Sequence, residues 1–110
     1  MVPRVALLLM LPLLGVPLSA EVKDLKGYFV QHCAVCHGTD GTGRGPNGTR
    51  LGGRNLADGR WLAGQEEAAL VAAILRGKGA MPGFRRQLSE PEARRLLTSV
   101  VQRLATRRQL

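Results

Sequence analysis

At 110 residues the chain has room for one small domain. Its 16 Lys and Arg against 8 Asp and Glu give a formal charge of +8, but only 4% of residues are aromatic, too few to stack on bases, which argues against nucleic-acid binding. Two histidines and no Ser/His/Asp or paired-carboxylate arrangement argue against a hydrolytic enzyme.

Residues 1–20 carry Arg4, an apolar run from Val5 to Leu18 and the small-residue end Leu18-Ser19-Ala20, the pattern of a secretory signal cut after Ala20. The run is broken by Pro12, Gly15 and Pro17 and falls short of the about 20 residues that a spanning helix needs. The predicted destination is the periplasm with no stable membrane insertion after cleavage; an uncleaved anchor facing the periplasm is the alternative. The remaining domain, 21–110, holds one Trp, one Tyr and two Phe, a thin supply for a core, so an additional staple is expected.

From Glu21 to His37 the spacing of Val22, Leu25, Phe29 and Cys33 predicts an amphipathic helix, with Asp24 in its first turn. The helix runs into Cys33-Ala34-Val35-Cys36-His37, which gathers both cysteines and one of the two histidines. Cys-X-X-Cys-His is the attachment signature of a c-type haem. At i, i+3 and i+4 of a helical turn, both sulfurs and the imidazole leave from one face, so two thioethers can form while His37 reaches the iron. Three plainer readings compete. A thioredoxin-like dithiol wants a βαβ pattern, and no strand is predicted. Four zinc ligands within residues 32–37 cannot close a tetrahedron. A Cys33–Cys36 disulfide closes too small a loop to constrain the unfolded chain and leaves His37 without a role. His32, next to Cys33, is expected to be a surface histidine.

Seven glycines fall between Gly38 and Gly53, which predicts a wrapping loop able to approach a porphyrin closely. The stretch from Arg54 to Gly64, with the only tryptophan, Trp61, reads as irregular. Gln65 to Arg76 reads as a short helix with Glu66 and Glu67 at its start and a stop at Gly77. Next comes Gly77-Lys78-Gly79-Ala80-Met81-Pro82-Gly83-Phe84, where Met81 is the sole methionine outside the signal segment. Pro82 biases Met81 toward an extended backbone, and a thioether on a glycine-flanked loop suits a distal haem ligand; the alternative is a core-filling methionine. Ser89 and Glu92 form a capping box that opens the last helix, with Leu96, Leu97, Val100, Val101 and Leu104 on one face. Between Ala68 and Ser89 the basic residues Arg76, Lys78, Arg85 and Arg86 occur without a single acid.

The haem motif, the Gly45-Pro46-Asn47 turn, the methionine loop and the Leu88-Ser89 helix start, in that order, resemble the mono-haem class I cytochromes c over roughly Asp24 to Leu104. The resemblance implies an all-α fold, three to four helices around one covalently bound haem c, with first and last helices crossing. It implies that His37 and Met81 are the axial iron ligands, that Pro46 offers its carbonyl to the other nitrogen of His37, and that Arg54 and Trp61 meet a haem propionate. The last helix departs from many relatives in having no aromatic residue. The expected function is that of a monomeric single-electron carrier docking on redox partner proteins with acidic surfaces, and not an enzyme. Two alternatives remain: a dedicated haem subunit of a larger dehydrogenase or reductase, and a haem enzyme or gas sensor with a labile Met81.

Overall fold

The structure, a computed structural model, describes residues 2–6 and 24–109, with side chains through residue 107. Most of the expected signal segment and residues 21–23 lie outside the described residues. Among the described residues there are four helices and no strand: α1 over 25–37, α2 Gly59–Ala63, α3 Glu67–Arg76 and α4 over 90–109.

Helix α1 opens at Asp24, whose side chain accepts from Gly27 N at 2.8 Å, so Asp24 caps the helix instead of sitting in its first turn. It closes at Gly38, which takes φ 79°. Both long helices are interrupted by one wide π turn, Phe29–Cys33 in α1 and Leu97–Val101 in α4, where periodicity predicts a plain α-helix. One residue added to a turn rotates everything after it by about 100°, so the wide turn in α1 sets the direction in which the cysteine motif faces.

The core is one cluster in which Leu25, Tyr28 and Phe29 of α1 meet Ala93, Leu96, Leu97, Val100, Val101 and Ala105 of α4, with Val71 of α3 and Leu88 beside them. The expected crossing of first and last helices is present, made on the α4 side by aliphatic residues. Tyr28 finds an aromatic neighbour before the last helix instead: its ring meets that of Phe84 edge-on at 6.0 Å. Fully burying Phe29 and Leu96 is worth roughly 1.5–3 kcal/mol each.

Helix α2 corrects the reading of 54–64 as irregular. Asp58 accepts hydrogen bonds from Arg60 N and Trp61 N, and that cap is enough to close one helical turn carrying Trp61. Helix α4 begins as expected: Ser89 Oγ accepts from Glu92 N at 3.2 Å and Glu92 Oε1 accepts from Ser89 N at 3.0 Å. Arg94 ties α4 to α3 through Glu67 and to its own first turn through Glu90, both at 3.0 Å.

Candidate haem site

The C-terminal end of α1 presents Cys33, Cys36 and His37 together. The two thiols are not joined, Cys36 being exposed and Cys33 half-buried. Burial pushes the Cys33 thiol up to about 11. His37 Nδ1 lies 2.8 Å from the carbonyl oxygen of Arg54. A carbonyl can only accept, so Nδ1 carries the proton and Nε2 keeps its lone pair, the form in which a neutral imidazole binds a metal.

The glycine loop holds that end of the helix through its backbone. Gly43 N donates to His37 O at 2.6 Å and Gly53 N donates to Cys36 O at 2.8 Å. A Cβ on Gly53 would overlap the Cys36 carbonyl, so only glycine permits this approach. Farther out, Leu56 N donates to Gly41 O at 2.6 Å and folds the loop back on itself.

Pro46 is not the residue whose carbonyl meets His37. It sits exposed at the tip of the loop, whose neck is closed by Gly45 N donating to Thr49 O, and the chain returns to α1 only at Gly53 and Arg54. Arg54, singled out in the sequence for its side chain, thus contributes its carbonyl. Its guanidinium lies 3.9 Å from the centroid of the Trp61 ring, so the two residues expected at a propionate are placed against each other. His32 is not a plain surface residue either. Its ring lies 4.3 Å from that of Tyr28 and 6.2 Å from that of Phe84, and Tyr28 in turn donates to Gln87 Oε1 at 2.6 Å.

Met81 is half-buried in a tight loop where Lys78 N and O each bond to Met81 O and N, both at 3.0 Å. The loop leaves α3 at Gly77, φ 81°, and returns so that Phe84 N and Arg85 N cap the α3 carbonyls of Ile74 and Leu75 at 2.9 and 3.1 Å. A Cβ on Gly77 would come within 2.5 Å of Met81 O, so the loop packs backbone against backbone. Arg76, Lys78, Arg85 and Arg86 are all exposed, and three of them line a shallow cleft of about 430 Å³ with Leu75 and Gly83.

Two thiols beside an imidazole whose Nε2 is left free form a donor set that suits a covalently attached haem, with His37 able to bind its iron. An all-helical fold with this motif at a helix end, a glycine wrap and a methionine loop defines a c-type cytochrome. The family "Cytochrome C oxidase, cbb3-type, subunit III" matches residues 20–98, and the chain belongs to it. The cofactor of this family is haem c with its iron.

Among its relatives, the cbb3-type cytochrome c oxidase subunit FixP of Azorhizobium caulinodans is 40% identical over 77 residues, 69% of this chain and 25% of that protein. Subunit CcoP of Cereibacter sphaeroides is 36% identical over 78 residues, 70% of this chain and 24% of that one. The chain thus spans about a quarter of the length of these curated relatives. Among solved structures, the KustC0563 c-type cytochrome superposes with a TM-score of 0.59 at 31% identity, covering 72% of this chain and 94% of that one.

Proposed function

We propose that this chain is a one-electron relay whose haem, held by thioethers at Cys33 and Cys36, is bound at the iron by His37 and Met81, and that it serves as the redox module of a larger oxidase-type assembly. The observation that carries the reading is His37 itself: Nδ1 is engaged by Arg54 and its backbone is engaged by Gly43. A ring so fixed points one nitrogen at one place. The haem iron supplies reversible one-electron exchange. With haem bound, Cys33 and Cys36 would fix the group in position, His37 would orient and tune it, and Met81 would bind the iron as well, leaving it no room for a substrate, so that on this reading the domain is not itself an enzyme. The assembly reading draws on the relatives named as oxidase subunits.

The free basic edge belongs to the same proposal. Arg76, Lys78, Arg85 and Arg86 flank the Met81 loop, are exposed, and make no ion pair among the described residues. They suit an acidic surface on a partner subunit, with association that weakens as salt rises. A second reading, a monomeric carrier that diffuses between partners, draws on the KustC0563 c-type cytochrome, 94% of whose chain is covered by this one. In either case residues 1–20 are proposed to direct export, leaving 21–110 as the domain, with the haem on the periplasmic side. Among the described residues no helix is long and apolar enough to cross a membrane.

Expression with haem-attachment machinery, followed by a pyridine haemochrome assay and mass spectrometry, tests the core of the proposal. One thioether-linked haem per chain is expected; bare apoprotein sinks it. Purification of the tagged chain from native membranes separates the two readings, since a module co-purifies with haem-containing partners and a carrier elutes alone.

A further inference from the structure

We infer that the stacking of Arg54 on Trp61 is a latch that positions His37, so that Arg54 acts on the iron ligand through its own backbone. The inference rests on the haem c cofactor but not on which assembly the domain serves.

The chain of contacts is continuous. His37 Nδ1 donates to the carbonyl of Arg54, and the side chain of the same residue lies over the Trp61 ring. Trp61 is fixed in turn, its backbone N–H donating to Asp58 Oδ1 at 3.2 Å and its indole packed against the core. Between the two ends, Asn55 Oδ1 accepts from Ala57 N at 2.9 Å, and Leu56 N bonds to Gly41 O. The segment is thereby wired into a rigid arch with Arg54 at one foot and Trp61 at the other. Arg54 itself is exposed and forms no ion pair among the described residues, so the indole face is the contact that restrains its side chain. Gly53 before it is held against α1 by one backbone bond and by close backbone packing, and neither contact reaches the Arg54 side chain. Loosening the guanidinium therefore frees the peptide that presents the carbonyl. A weaker bond to Nδ1–H makes the imidazole a poorer donor, which disfavours the ferric state and raises the reduction potential.

The test uses the full haem-loaded protein in its reduced state and reads two quantities: solvent exchange of the His37 Nδ1 proton by NMR, and the reduction potential. Trp61→Leu and Arg54→Met are each expected to speed the exchange about two- to fivefold, the size of one exposed cation–π contact. The double variant should exchange no faster than either single, because both remove the same restraint. Trp61→Leu, which leaves the charge unchanged, should also raise the potential, and Trp61→Phe, which keeps an aromatic face, should stay near the parent in both readouts. If Trp61→Leu loads haem poorly, Arg54→Met at its exposed site gives the same reading. Unchanged exchange in Arg54→Met with a lowered potential would show the guanidinium acting on a propionate and overturns the latch. Independent, additive effects of the two substitutions overturn it as well.

Discussion

On the histidine side, bonds from the glycine loop reach the last two residues of α1: Gly43 N to His37 O, Gly53 N to Cys36 O, and His37 Nδ1 to Arg54 O. On the methionine side, the bonds join Lys78 to Met81 through the backbone and tie residues 84 and 85 to the end of α3. The imidazole is restrained through its own ring, whereas the thioether is carried by a loop whose restraints end at the peptide. With Met81 and His37 as the proposed ligands, the weak, soft thioether is the one that can be lost without unfolding the domain, and the imidazole, on a helix end held by three bonds, is the fixed base from which that loss is measured.

Substitutions at the two glycines that permit these close approaches should separate the sides most strongly. In Gly53→Ala the new Cβ meets the Cys36 carbonyl and the His37 nitrogen, atoms of a helix end that cannot yield. The overpacking costs at least the about 1–3 kcal/mol usual in a tight site, and a marginal 110-residue protein is expected to yield little haem-loaded material, read as haem per chain in the pyridine haemochrome assay. In Gly77→Ala the residue is forced to keep φ 81°, and its Cβ presses on Met81 O, so the methionine loop shifts while α1 is untouched. Haem attachment is expected to survive, and carbon monoxide to bind the reduced protein faster than it binds the parent. Equal loss of haem in both variants breaks the distinction between the two sides. Met81→Ala sharpens it: covalent haem is retained, the sixth position opens, carbon monoxide binds rapidly, and the potential falls with the loss of the methionine. Equally rapid binding to the parent would show that Met81 is not the ligand.

Much of this arrangement is written in short sequence signals. The Cys33-to-His37 motif, the Ser89 capping box and the Gly77 helix stop act over three to five residues, and each stands where its spacing places it. Asp58 is a signal of the same kind, a helix cap directly ahead of Trp61, that a reading dominated by the surrounding glycines passes over. The wide turns in α1 and α4 left no such trace, because an inserted residue changes the helical phase only where tertiary packing rewards it. Nor did the Arg54 carbonyl: any residue carries one, and which peptide of a sixteen-residue loop and its exit reaches His37 depends on the path of the chain. The resemblance implies Pro46 by its place in a turn, but that turn lies at the tip of the loop, away from α1. His32, expected at the surface, is half-buried for a related reason: its ring meets those of Tyr28 and of Phe84, the latter far along the chain.

The thiols offer a finer test within the histidine side. In folded apoprotein, exposed Cys36 should react with iodoacetamide before half-buried Cys33, whose thiol is raised from 9.0 to about 11. Because the folded thiol holds its proton above the pH at which the unfolded one releases it, the apoprotein loses stability as pH rises from about 9 to about 11. Cys33 alkylation should lag by roughly ten- to a hundredfold near pH 8, the spread reflecting its partial exposure, and climb toward pH 11. Mass spectrometry of the singly modified species identifies the order, and equal rates at pH 8 would show that α1 is open at this end without haem.

The smallest effect concerns the support beneath the methionine side. Arg94 reaches Glu67 of α3 and Glu90 of α4, and the hydrogen bonds to both carboxylates raise its already high pKa. All three side chains are about half exposed or more, so solvent and salt screen the pairs, and side-chain ordering offsets part of what remains. Arg94→Ala is therefore expected to lower stability only slightly in thermal or denaturant unfolding, with the loss shrinking further at high salt. The informative comparison lies in where that small loss appears. Helix α3 carries the Met81 loop, so a slight gain in carbon monoxide binding should accompany the substitution, while the His37 Nδ1 proton exchanges as in the parent. A change in that proton instead would mean that the two sides share one cooperative unit.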